Sequence, residues 1–85
     1  MRIIYTYYMT TSEKLLAKAI KSPQNLKYKE FETLLGQHGY VKERQTGSHA
    51  MWRAAGKPRM CIQNDGGKAK IYQVKEFLEE INAKI

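Results

Sequence analysis

The chain is short of nearly every side chain that staples or specialises a small protein. Its one cysteine, Cys61, excludes a disulfide framework and a cysteine-based zinc site, and makes a reducing cytoplasm the expected location. Acidic residues number eight against fifteen Lys and Arg, a formal charge of +7 over 85 residues. That balance disfavours an acidic binding module and points to a polyanion or an acidic protein as partner. No apolar run approaches the roughly 20 residues that a bilayer requires, so no membrane association is expected. The two histidines, His38 and His49, and the scattered carboxylates show neither zinc-type spacing nor a magnesium-type carboxylate pair, so no metal is expected.

What is present suffices for one small folded domain, residues 1–85. Hydrophobic residues make up 42%, with six tyrosines, two phenylalanines and one tryptophan, which excludes a disordered basic tail. The opening MRIIYTYY lacks the apolar stretch and small-residue cleavage site of a signal peptide. Residues 1–9 are expected to be disordered or to lie upstream of a true start at Met9. Charge is uneven along the chain. Residues 40–70 hold seven basic and two acidic residues, interleaved with Met, Trp, Cys and Ile, the pattern of a folded basic surface.

Thr10 and Glu13 have capping-box spacing, and Leu15, Leu16, Ala19 and Ile20 follow at helical spacing until Ser22-Pro23 ends the run. Tyr28, Phe31, Leu34 and Leu35 predict a second helix over 27–38, with Gly39 as its C′ residue and Tyr40 as the apolar contact beyond it. Three short strands are expected at 40–45, 48–54 and 59–63, separated by a Thr46-Gly47 turn and an Ala55–Pro58 loop. Asn64-Asp65-Gly66-Gly67 marks a further turn. Ile71, Val74, Leu78, Ile81 and Ile85 then form a helical stripe to the C-terminus, broadened by Phe77. The expected class is α+β: a three-stranded antiparallel sheet covered on one face by helices, with an α–β–β–β–α core and an extra N-terminal helix. That core order is also the order of double-stranded-RNA-binding domains.

Few residues offer chemistry. Gly66-Gly67-Lys68 lacks the full phosphate-loop spacing, so no nucleotide cofactor is expected, although a backbone phosphate could sit ahead of the last helix. Cys61, mid-strand among apolar neighbours, reads as a small buried hydrophobe. His38 reads as a partner for terminal helix carbonyls. His49 begins a strand inside the basic segment, where an imidazole can transfer protons near neutral pH. Strand alternation sets it with Met51 and Arg53, opposite Ala50 and Trp52. Trp52 reads as core in preference to a base-stacking surface.

The run Arg44–Arg53, RQTGSHAMWR, and the run Ile62–Leu78, with its GKAK-IYQVK-FL ending, together resemble the HicA family of bacterial toxins. The resemblance covers about Ser12 to Ile85. Many members carry a second histidine directly after the first, where this chain has Ala50. The resemblance implies a double-stranded-RNA-binding-like fold and a metal-independent endoribonuclease that cleaves mRNA, without a cofactor. It also implies neutralisation by a HicB-like antitoxin. It puts the essential histidine at His49, in the Gly47-Ser48-His49 element. Gly47, Ser48, Arg44, Lys57, Arg59, Lys68 and Lys70 are the expected RNA-binding residues. Two competing readings are a non-catalytic RNA-binding domain of the same fold and a DNA-binding helix-turn-helix protein. The second suits the charge less well, because the basic residues concentrate outside the first two helices.

Overall fold

A computed structural model describes residues 11–82 of the chain. Helix α1 (Thr11–Lys21) is followed by a 3₁₀ turn (Pro23–Asn25) and helix α2 (Tyr28–Gln37). Strands β1 (Val41–Thr46), β2 (His49–Arg53) and β3 (Met60–Gln63) come next, and helix α3 (Ile71–Glu80) closes the order. The strands form one antiparallel sheet in the order β1-β2-β3. The α+β class and the α–β–β–β–α core with an added N-terminal helix are therefore as expected.

Helix α2 owes its place to the apolar spacing of Tyr28, Phe31, Leu34 and Leu35, all buried. Its first turn is closed by Glu30, whose carboxylate accepts the Lys27 backbone N–H at 3.0 Å and the Lys18 ammonium of α1 at 2.9 and 3.1 Å. Its last turn ends in a Schellman pair: Tyr40 N–H donates to the Leu35 carbonyl at 3.1 Å and Gly39 N–H to that of Gly36 at 3.2 Å. Tyr40 then turns inward onto Phe77, as its place beyond the helix suggested. Phe77 is the hub of the core. Phe31, Tyr40 and His38 approach its ring edge-on, with centroids at 5.8, 5.9 and 5.5 Å.

On the sheet, Ala50 and Trp52 of β2 and Met60 and Ile62 of β3 face the helices and are buried. Trp52 is thus core, and the ammonium of Lys42 covers it 5.8 Å from the ring centroid. Edge strand β1 is exposed along its length and carries a bulge: Lys42 pairs with Trp52 and Arg44 with Met51, leaving Glu43 unmatched.

Three expectations need correction. Cys61 is exposed, because Met60 and Ile62 on either side take the inward positions of β3. The stripe of α3 is also shifted. Ile71 is exposed, and Gln73 takes the buried position beside Val74 and Phe77 because its carboxamide accepts the backbone N–H of Gln63 at 2.9 Å. Finally, α3 does not continue to the C-terminus; it stops at Glu80, where Ile81 caps it and Asn82 adopts a left-handed φ of 58°. The Thr10 cap, residues 1–9 and Ile85 lie outside the described residues. Among the described residues, no helix is long and apolar enough to cross a membrane.

Backbone and lysine contacts hold the Glu30 carboxyl below the usual carboxylate range. A depressed folded pKa contributes stability at neutral pH that is lost as pH falls through that pKa. Glu30→Gln should therefore cost about 0.5–1 kcal/mol at pH 7 in urea unfolding. The gap to the parent should persist at pH 5 and close only below about pH 4.

Candidate functional site

With the helices on one side, the other face of the sheet is open, and β2 directs His49, Met51 and Arg53 onto it. His49 is positioned by a two-residue hairpin turn. Thr46 and His49 are strand partners, and Gly47-Ser48 between them closes the loop, with Gly47 at φ 60°. A positive φ at the first central position is what a type II′ turn requires, and only glycine adopts it without strain. The turn thus falls one residue later than the expected Thr46-Gly47, so His49 is the first residue of β2. An imidazole at a strand's first position escapes the crowding of a mid-sheet side chain. It is exposed, and it has no hydrogen-bond partner among the described residues. Arg44, Thr46, Ala50, Met51 and Cys61 join it around a hollow of about 110 Å³. Cys61, misplaced by the sequence reading, is therefore a wall of the His49 site.

The cations divide into two groups. Arg44 lines the His49 hollow and forms no ion pair among the described residues. Lys68 belongs to the turn after β3, where Asp65 and Lys68 pair across Gly66 (φ 62°) and Gly67 (φ 93°). Two successive positive φ values make this a type I′ turn, which explains the double glycine. The turn is bound to the His49 end of the sheet, since Asn64 N–H donates to the Ser48 carbonyl at 2.9 Å. Lys70 caps α3, with its ammonium 3.9 Å from Asp65. Gly47, Ser48, His49, Arg44, Lys68 and Lys70 are thus gathered at one end of the molecule.

Lys57 and Arg59 are not. Lys57 lies in the loop at the other end of the β2–β3 hairpin, where its ammonium donates to the Glu80 carbonyl at 3.1 Å, at the end of α3. Arg59 grips Glu43 with two hydrogen bonds of 2.8 and 3.3 Å, and these hold the Glu43 carboxyl below its usual range. His38 is on the helical side, with Nδ1 3.0 Å from the Leu34 carbonyl, the helix-end contact expected of it. Among the described residues, no three His, Cys, Asp or Glu side chains come together as a metal site.

The sequence reading missed Lys27. It forms an isolated antiparallel bridge with Lys68, fixed by Tyr28 N–H to the Gly67 carbonyl at 2.9 Å and Ala69 N–H to that of Leu26 at 3.0 Å. No local spacing announces a contact between residues so far apart in the chain; the one signal was a lysine on either side of Tyr28.

The family model of the HicA toxin of bacterial toxin–antitoxin systems matches residues 28–83. The chain belongs to the HicA toxin family. No curated protein and no solved structure matches it. The HicA match starts at the first residue of α2, so α1 and the 3₁₀ turn stand before it, although the resemblance in the sequence extended back to Ser12. Membership makes the chain a toxin with a cognate antitoxin.

In this HicA domain the buried Gln73 carboxamide satisfies the outer edge of β3 next to the strand pair that holds His49. Gln73→Leu would leave the Gln63 N–H without its acceptor and should lower unfolding free energy by about 1–3 kcal/mol. Amide exchange at Gln63 should accelerate well beyond that of Ile62. Unchanged exchange there would show that the side chain does not seal this edge.

Proposed function

We propose that this toxin is an endoribonuclease that cleaves mRNA without a metal ion or other cofactor, with His49 as its acid/base group. We further propose that a HicB-like antitoxin neutralises it. The observation that carries the reading is the place of His49: exposed on the open face, unengaged among the described residues, and in one hollow with the unpaired Arg44.

The chemistry follows from what RNA cleavage demands. The 2′-oxygen must lose its proton as it attacks the adjacent phosphorus. The bond from phosphorus to the 5′-oxygen breaks, and that oxygen gains a proton. A 2′,3′-cyclic phosphate and a 5′-hydroxyl result, with no net change in protons. Neutral imidazole can take the first proton and imidazolium can return one to the leaving oxygen. The developing negative charge on the phosphoryl oxygens falls to a cation held in place before reaction, a role that suits Arg44. Lys68 and Lys70, with Gly47 and Ser48 at the adjoining turn, would hold backbone phosphates on either side, contributing affinity without reading sequence. Lys57 is engaged at the end of α3 and would contribute to the long-range field alone, whereas Arg59, held by Glu43, lines a hollow on the open face with Arg44 and Met51 and adds its charge there.

A non-catalytic RNA-binding domain has one observation in its favour: among the described residues, no carboxylate is bonded to His49 to orient it. The two readings separate on one variant. The parent chain should cut a transcript in the presence of chelator. His49→Ala should bind the same transcript within about threefold but cut it at least 10²-fold more slowly, the usual scale of a lost acid/base group. Equal cleavage by the alanine variant would remove His49 from the chemistry.

A further inference from the structure

The first turn of α3 exposes two large apolar side chains, Ile71 at 44% and Tyr72 at 64%. Neither serves the core, and both line a cavity of about 430 Å³ with Gln24, Asp65, Lys68, Ala69, Lys70 and Lys75. That volume lies in the range of sites that hold small organic groups. Its composition is specific: an aromatic side chain, an aliphatic neighbour, three lysines and one carboxylate. Asp65 is offset by Lys70 at 3.9 Å, so Lys68 and Lys75 remain to meet an anion.

The tyrosine is also tied to β3, the strand that pairs with that of His49. Its hydroxyl accepts a hydrogen bond from Gln73 Nε2 at 3.4 Å. The other end of the same buried carboxamide accepts the N–H of Gln63, and Gln63 is the strand partner of His49. One fixed side chain therefore links Tyr72 to the edge of the sheet that carries the histidine.

We propose that Tyr72, with Ile71 beside it, is a stacking platform for one unpaired nucleotide of the bound RNA, and that Lys68 and Lys75 hold the phosphate of that nucleotide. The proposal rests on the RNA-cleaving reading above and adds a subsite to it. Aromatic stacking beside cations is how proteins hold single-stranded bases regardless of identity, because every base offers a π-face. Two apolar residues cannot anchor a protein interface, which needs roughly 800 Å² from each partner. A nucleotide is the occupant that this size and charge suit.

The test uses the His49→Ala chain, so that RNA stays intact, and a fluorescently labelled single strand of roughly 12 nucleotides. Adding Tyr72→Ala should weaken binding about tenfold, the order of one lost base stack, while Tyr72→Phe should stay within about twofold. Because Tyr72 is exposed, both variants should melt with the parent. A series of strands with one abasic position, placed at each nucleotide in turn, should show one position whose base matters to the parent and not to Tyr72→Ala. Lys75→Gln should reduce the salt dependence of binding by about one phosphate contact. Equal RNA affinity of the Tyr72→Ala and parent chains would overturn the platform, and more so if that variant had lost affinity for the antitoxin. If the His49→Ala chain binds no RNA at all, the RNA-cleaving reading falls and the subsite with it.

Discussion

The arrangement depends on the two-residue alternation of β2. Ala50 and Trp52 point to the helices, so His49, Met51 and Arg53 cannot. A chain of this length has helices for one layer of cover, and Phe31, Leu34, Leu35, Val74 and Phe77 use their apolar faces against a single side of the sheet. The second face must therefore live in water. Its side chains bear this out: Glu43, Arg44, Arg53, Arg59 and Gln63 share that face with His49, Met51 and Cys61. A one-residue slip of β2 would bury His49 and expose Trp52, losing the largest aromatic of the core and the site together. Core packing thus enforces the exposure on which the proposed chemistry rests.

Backbone contacts govern the basic end more than side-chain pairing does. The turn carrying Lys68 is held by three main-chain hydrogen bonds, from Asn64 to Ser48, Tyr28 to Gly67 and Ala69 to Leu26. Ion pairs at the surface contribute little to such positioning, since exposed pairs are typically worth about 0–1 kcal/mol. What the pair of Arg59 and Glu43 does do is local neutralisation. The bulge in β1 puts Glu43 and Arg44 next to one another on the open side, and Arg59 takes the carboxylate. Arg44, without an ion pair of its own among the described residues, is left beside His49.

Those two features show where the sequence is and is not informative. The sharing of a face by Ala50 and Trp52 and by Met60 and Ile62, the Gly39 helix end, the glycine turns and the position of His49 at a strand start all follow from period, turn chemistry and local spacing, whereas which face of β2 turns inward does not. The exposure of Cys61 was implicit in the same alternation, but its apolar character argued the other way and the period prevailed. Other features are not local. The bulge at Glu43 has no glycine or proline to mark it. Gln73 looks polar and is buried, because its partner is the backbone of a strand ten residues earlier. The division of the cations was equally invisible: Lys57 is drawn off by a helix end, and Lys27 is brought in by a bridge to Lys68.

A site built this way, shallow and on an uncovered face, has a consequence for control. On the proposed reading, His49 is reached without opening a lid formed by the described residues, and nothing among them would restrain the folded toxin. On that reading the antitoxin would inhibit by covering the open face or by competing for its cations. An acidic antitoxin could do both, since the same Arg44 and Lys68 that would meet RNA phosphates would meet carboxylates. The contacts that give RNA its affinity would be the ones an antitoxin must occupy. Sharing them links the two partners by mutual exclusion, which requires no conformational change in the toxin.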